Sequence, residues 1–599
     1  MHSPPRALAL LLSAALAAPF TAGAQQADEV LRRGEAAAVV SWRAPVSASD
    51  PVAVRLLGIN DLHGHLEPKT RAAGAPGDRP LGGAAVLAAY LESERDENPK
   101  RTLLLIAGDS IGASAPLSGL LHDEPTMAFL NELAAGSCPK FTRELAARPP
   151  PLVTRCRVLA TVGNHEFDKG TAELERLLYG GRHADGTVPG RAWDGTRLPW
   201  LAANVVRRAG RTPLLPPSAI VELDGVRLGV IGAVTLATPA LVPAQSISDI
   251  EFLPEAPAIN AEVTRLRAAG VKAIALVIHE GLLSPQTPQL APLALEETRG
   301  RLADIIRGLD GGIDVIVAGH THRLNAVLLP LRDGRLVLVA EARSEGAAYS
   351  AIDLTIDRTS GAVVAKSARI FTTWGDEGPG RKPVPRVARL VATAVSATAA
   401  TVAREIGSAA SAIRRAEARS GESALGDLIA DAQRAAAGTD FAFMNSGGMR
   451  SDLEAGPVSF GALYAVQPFG NTVVRLTLTG EQILRLLEQQ WSGPYAHAPR
   501  LLATSGLQYR YDLRRPAGER VLGAVDAAGR TLEPGRRYSV AANDFLIAGD
   551  DYYSVLAEGR EVEAVGVDVA LLEAYVRAAP GPLMLPPAGR ITRLDSGLH

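Results

Sequence analysis

Between about residues 52 and 373, short apolar runs rich in β-branched residues alternate with stretches whose apolar positions recur at helical spacing. Strands are predicted over 52–60, 102–109, 158–164, 226–234, 273–279 and 314–320, and helices over 84–95 and 257–269. In the second helix Ile259, Val263 and Leu266 fall on one face. This alternation predicts an α/β layered domain over 50–373. A break rich in Gly, Pro and charge, 374–383, reads as a linker, and an Ala- and Val-rich connecting helix at 387–406 follows it. A second α/β domain is predicted over 407–593, with helices at 424–437 and 480–490, and no repeat of fixed period is present.

Composition adds bounds. At 599 residues, 47% apolar and 21% charged, the chain is globular and long enough for two or more domains. A formal charge of -2 with no Lys/Arg stripe argues against a bound nucleic-acid polymer and leaves a small anionic substrate open. Arg6, the apolar run 7–18 and Ala22-Gly23-Ala24 form the pattern of a secretory signal over 1–24. The run is too short to span a bilayer, so an exported protein, periplasmic or secreted and without a membrane span, is expected. Cys138 and Cys156 are the two cysteines, and in an oxidising compartment they form either one disulfide or two free thiols.

The chemistry gathers at strand ends. The first strand runs into Asn60-Asp61-Leu62-His63, the next into Gly108-Asp109, and a third into Gly163-Asn164-His165-Glu166-Phe167-Asp168. A later strand ends at His279 and another in Gly319-His320-Thr321-His322. Ligands of α/β sheets bind at the carboxyl ends of strands, so these blocks point to one shared site. Carboxylates, imidazoles and an amide suit hard divalent metals in a hydrolase, and a bridging carboxylate, here Asp109, serves two ions at once. Two such ions lower the pKa of a water they share and clamp the oxygens of a phosphoryl group in displacement.

These blocks, in this order, resemble the calcineurin-like metallophosphoesterase signature, and past the linker the resemblance extends to the 5′-nucleotidase family. It implies a layered β-sandwich flanked by helices, carrying the metals, and a C-terminal substrate-binding domain. Asp61, His63 and His322 would then hold one metal and Asn164, His279 and His320 the other, with Asp109 shared. The ions would be two divalent metals, Mn, Zn, Fe or Co. His165 would be the catalytic histidine, oriented by Asp168. His65 is read as a nearby polar residue, and His122 and His497 as structural or surface residues.

The resemblance also supplies substrate-side candidates. Asn445 and Arg450, in Asn-Ser-Gly-Gly-Met-Arg, and Arg419 would grip the substrate. An Arg fork is suited to phosphate oxygens. Phe469 and Asn471, in Gln-Pro-Phe-Gly-Asn, and Phe545 with Asp551 would sandwich a base and bind the ribose. The family usually has Gly-Gly-Asp-Gly where this chain has Gly549-Asp550-Asp551-Tyr552, which adds bulk and charge beside the implied ribose contact. The implied activity is hydrolysis of nucleoside 5′-phosphates. Alternatives on the same scaffold are 2′,3′-cyclic nucleotide phosphodiesterase with 3′-nucleotidase activity, nucleotide-sugar hydrolysis, and a nucleotide-binding protein without catalysis. The sequence says nothing about oligomeric state.

Overall fold

The computed structural model describes residues 37–44, 48–69, 79–184, 192–284, 292–375, 382–496, 499–549 and 551–595. The predicted signal segment, residues 376–381 of the break, His497 and Asp550 lie outside the described residues.

Two seven-stranded sheets among the described residues face each other in the first domain. The first runs in the order Ala37–Arg43, Val363–Thr372, Ala348–Asp357, Pro51–Ile59, Thr102–Ala107, Val158–Thr161, Trp200–Leu201. The second runs Leu324–Pro330, Leu336–Ala342, Val315–Val317, Ala273–His279, Val226–Val234, Ser218–Leu223, Leu152–Thr154. Pro51–Ile59, Thr102–Ala107 and Val158–Thr161 are parallel neighbours, as are Val226–Val234, Ala273–His279 and Val315–Val317. Parallel strands are covered on both faces, and Thr102–Ala107 and Ala273–His279 are buried along their whole length. That is why they read as unbroken apolar runs.

The inner faces of the two sheets, including Val54, Leu56, Leu103, Leu105, Val277, Val315 and Leu338, form one core between them. Helices Ala84–Glu97, Glu124–Ala134 and Thr171–Tyr179 cover the outer face of the first sheet. Helices Glu255–Ala268 and Arg301–Gly308 cover that of the second. The result is a helix-sheet-sheet-helix sandwich in which every ligand-bearing strand belongs to a central parallel group. Cys138 and Cys156 are bonded, with Cα atoms 4.4 Å apart.

Helix Pro385–Val402 leaves the sandwich but packs on Ala84–Glu97 and Glu124–Ala134, where Arg386 pairs with Glu92 and Glu132. Beyond it a five-stranded sheet runs Leu502–Ser505, Phe441–Asn445, Arg537–Asn543, Thr472–Thr479, Arg560–Val567. Helices Ala424–Ala437 and Asp568–Ala578 pack on one face of it. On the other lies Gly480–Glu488 with a three-stranded sheet of Val521–Asp526, Leu507–Tyr511 and Ile591–Arg593. The chain is thus a two-domain α/β protein.

Candidate active site

All five ligand-bearing strands end at the same edge of the sandwich, and each delivers its block within one or two turns of backbone. The candidate ligand atoms of Asp61, His63 and His322 lie within 4.8 Å of one another, and so do those of Asp109, His279 and His320. Asp109 reaches both groups: its Oδ2 is 3.0 Å from His279 Nε2 and 3.7 Å from His63 Nε2. Asn164 and His279 are buried; Asn164 Oδ1 has no hydrogen-bond partner, while His279 Nε2 faces the Asp109 carboxylate. A buried amide oxygen left without a donor, at the edge of a carboxylate-imidazole cluster, fits divalent metal ions.

The local backbone is unusual. Asp61, His63, Asp109, His320 and His322 all have left-handed φ, between 46° and 73°. Asp and His tolerate this region better than most residues, and such strain persists where the surroundings hold it. Gly108 and Gly163 let the Asp109 and Asn164 loops touch. A Cβ on Gly108 would sit 2.6 Å from the Gly163 nitrogen, and one on Gly163 equally close to the Asp109 nitrogen.

A second layer of groups holds the first. His279 Nδ1 bonds the Ala107 carbonyl at 2.8 Å and His63 Nδ1 the Gly112 carbonyl at 2.9 Å, which turns both Nε2 atoms toward the cluster. Glu166 accepts from the backbone N–H groups of Asp109, Ser110 and Gly163 at 2.9, 2.8 and 2.5 Å and so fixes the Asp109 loop. Glu341 accepts from Thr321 Oγ1, the Arg323 nitrogen and Asn325 Nδ2 at 2.7, 3.0 and 2.7 Å, anchoring the His320–His322 segment. Asn60 donates to Asp61 at 2.6 Å and accepts from Ala342 at 3.0 Å. Glu166 closes the Gly-Asn-His-Glu block, but the sequence pattern alone assigns it no role. Glu341 sits on a distant strand, and no local signal marks it.

The electrostatics favour the metal-binding forms of Asp109, His63 and His320, whereas at His279 burial is overcome by Asp109 and Asp61, which raise it to about 10. Burial pushes Asp109 up, but His279 and His165 override it and hold the carboxyl well below its usual range. Burial, with the Arg450 charge behind it, keeps His63 well below the ordinary imidazole value, and burial with His279 pushes His320 down to about 3. Glu166, by contrast, is pushed up to about 7 by burial and by Asp109. His165 Nδ1 lies 2.9 Å from Asp168 Oδ2, and the His165 backbone N–H donates to Asp109 Oδ1 at 2.9 Å. Burial opposes charging of His165, but Asp168 and Asp109 together raise it.

The second domain closes over this cluster. A cavity of about 620 Å³ between the domains is lined by Asp109, Asn164, His165, Asp168, His320 and His322 from the sandwich. From the second domain Asn445, Arg450, Phe469, Asn471, Phe545 and Asp551 line it as well. Arg450 Nη2 comes within 3.3 Å of His63 Nε2. The Phe469 ring stacks on His165 with centroids 5.7 Å apart, and Lys169 Nζ donates to the Phe469 carbonyl at 2.7 Å across the domain boundary. Asp551 is buried, donates its backbone N–H to the Ala240 carbonyl at 2.7 Å, and accepts from Asn445 Nδ2 at 3.1 Å and from the Tyr495 hydroxyl.

Arg419 is exposed and is not among the cavity residues. Its neighbour Arg415 reaches toward Arg450, donating to the Met449 carbonyl at 3.3 Å, and Arg500 lines the cavity instead. His65 lies 3.4 Å from Glu345 and His122 stacks on His183, so neither joins the two ligand groups.

Sequence comparison matches residues 54–324 to the calcineurin-like phosphoesterase family and residues 397–558 to the 5′-nucleotidase C-terminal domain. The chain is 31% identical to the cell wall protein Lmo0130 of Listeria monocytogenes, over 89% of this chain and 68% of that one. It belongs to the 5′-nucleotidase family. This 5′-nucleotidase-family chain is also 32% identical to endonuclease YhcR of Bacillus subtilis over 90% of its own length, but spans only 41% of that relative. Among solved structures, a 5′-nucleotidase precursor from Thermus thermophilus superimposes with a TM-score of 0.71 at 26% identity, covering 91% of this chain and 100% of that one. The protein is accordingly a metal-dependent hydrolase of the two-metal phosphoesterase type.

Proposed function

We propose that the protein is an exported phosphomonoesterase that hydrolyses nucleoside 5′-phosphates to nucleoside and phosphate. The observation that carries this reading is the shared cavity, in which Arg450, Phe469 and Phe545 face the metal-ligand cluster across the domain boundary. An arginine fork for the phosphate and two aromatic rings for a base form a site for a nucleotide rather than for a bare phosphate ester.

Asp61, His63 and His322 would hold one ion and Asn164, His279 and His320 the other, with Asp109 between them. When bound, the divalent pair supplies Lewis acidity to the phosphoryl group and to an attacking water. Asp168 holds the His165 ring through Nδ1, which leaves Nε2 to stabilise charge on the transferring phosphoryl group or to protonate the leaving oxygen. Arg450 neutralises the equatorial oxygens, and closure of the second domain excludes water from the charge that develops. Asn445 and Asn471 supply neutral donors beside the sugar, and Phe469, backed by His165, offers one stacking face.

Export is supported by the signal-like first 24 residues, the Cys138–Cys156 disulfide and the Listeria relative named as a cell wall protein. No described helix is long and apolar enough to cross a membrane.

The test is chromatographic product analysis together with phosphate release for AMP, 2′,3′-cyclic AMP, UDP-glucose and a DNA oligonucleotide, with added Mn²⁺ and again with chelator. Metal-dependent release fastest from AMP is the expected result. Cleavage of the cyclic or polymeric diester alone would reject the monoesterase reading. His165→Ala should lower turnover strongly while metal content, read by elemental analysis, is retained.

A further inference from the structure

Asp551 does not present a free carboxylate to the cavity. Its side chain is 3% exposed, with Oδ2 taken by Asn445 and Oδ1 by the Tyr495 hydroxyl, and Arg500 Nη1 lies 3.6 Å from Oδ1. The exposed member of this group is Arg500, whose side chain is 48% accessible and lines the cavity. It is also held. Its guanidinium carbon stands 5.7 Å from the Tyr495 ring centroid, and its carbonyl accepts from the Tyr553 hydroxyl at 2.6 Å. An arginine fixed on one edge by a buried carboxylate and open on the other is pre-organised for an anion, because little rotamer entropy is left to lose.

Its position relative to the metal cluster follows from one turn. A Cβ built on Gly447 would stand 3.6 Å from Asn445 Nδ2, 3.7 Å from Arg500 Nη1 and 4.0 Å from Asp551 Oδ2. These groups therefore converge above a residue with no side chain. Three residues further on, at most roughly 11 Å of chain, Arg450 meets His63 at the cluster. The 445–450 turn thus carries one arginine at the metals and has a second over its middle, both facing one cavity.

We infer that Arg500 is a specificity-determining residue that grips a second phosphoryl group and so raises the reactivity of nucleoside diphosphates relative to monophosphates at this site. This rests on the nucleotidase reading above and goes beyond it by naming the residue and the substrate feature it selects. With the terminal phosphoryl at the cluster beside Arg450, the next one along the anhydride chain falls toward Arg500. In the reaction, water adds to the terminal phosphorus and the anhydride P–O bond breaks. The bonding pair leaves on the oxygen of the nucleoside monophosphate, and inorganic phosphate and one proton are released near neutral pH.

The experiment is kcat/KM for ADP, AMP and p-nitrophenyl phosphate on the metal-loaded full chain, in wild type, Arg500→Ala and Arg500→Lys, with melting curves to check the fold. The ADP-to-AMP ratio of kcat/KM should fall about tenfold in Arg500→Ala and less in Arg500→Lys, which keeps the charge but loses the fork. An unchanged ratio, or equal losses on ADP and AMP, overturns the inference, and Arg500→Lys decides alone if the alanine variant does not fold. Wild type that cleaves the aryl phosphate but neither nucleotide rejects the nucleotidase reading itself, an outcome distinct from a failure of Arg500.

Discussion

The two walls of the cavity are built in different ways. On the sandwich side, His279 ends a strand of a parallel group, and Asp61, Asp109, Asn164 and His320 each follow such a strand within three residues of its end. On the opposite side, Asn445, Phe469, Arg500, Phe545 and Asp551 come from separate elements spread over about a hundred residues, and side-chain bonds between distant segments aim them. Position along a strand sets the first wall, whereas tertiary convergence sets the second. A metal centre tolerates little displacement of its ligands, while a substrate wall can be re-aimed by one loop.

The sharpest way to break this contrast is at the bridge. Asp109→Ala should abolish turnover of nucleotides and aryl phosphate alike, by at least about 10³-fold, since several kcal/mol of charge stabilisation are lost. A variant that still cleaves aryl phosphate at a tenth of the wild-type rate would remove Asp109 from the centre. Next in size is Glu166→Gln, which keeps the volume but weakens the acceptor for the backbone N–H groups of Asp109, Ser110, Ile111 and Gly163. A roughly 10- to 100-fold loss of metal affinity is expected, measured by competition with a chromogenic chelator, and wild-type affinity would mean the loop holds itself. Phe469→Ala and Phe545→Ala address the other wall and should raise KM for AMP about tenfold more than for aryl phosphate.

The smallest effect concerns stability in the second domain. Asp427 is buried, its Oδ1 has no partner, and burial pushes it up to about 8 despite Arg590. Its folded value lies above its unfolded one, so its contribution to stability is present at acid pH and is lost as pH rises through about 8. Asp427→Asn should therefore melt higher than wild type at about pH 9, with the advantage shrinking toward about pH 5. Parallel melting curves across that range check it, and a constant offset would show that ionisation plays no part.

What can be read from the chain follows the same division. The buried parallel strands read clearly because both faces are covered, so the apolar run and terminal His of 273–279 mark that strand to the residue. The predicted run at 158–164 is too long: the strand ends at Thr161, and Val162-Gly163-Asn164 already belongs to the loop that enters the His165 turn. Helix 84–95 extends to Glu97, and the connecting helix spans Pro385–Val402 instead of 387–406. Fragments such as Leu152–Thr154 and Trp200–Leu201 pair at sheet edges and carry too few residues to show a period. On the substrate side, motif residues are legible but their aim is not. Nothing local distinguishes exposed Arg419 from cavity-lining Arg500, since the difference is made by Tyr495, Asp551 and the fold between them.

The left-handed backbone at Asp61, His63, Asp109, His320 and His322 bears on how this centre can change over generations. A β-branched replacement there costs the chain path as well as the ligand, so it threatens folding and is removed quickly. Gly keeps the path while discarding the donor, and Asn keeps the path while leaving only a neutral, weaker amide oxygen. Drift toward a non-catalytic descendant is therefore channelled through Asn and Gly at these positions. A deep mutational scan selected first for abundance and then for activity would show the two tolerances parting at those five sites and coinciding at Asn164 and His279, where φ is ordinary.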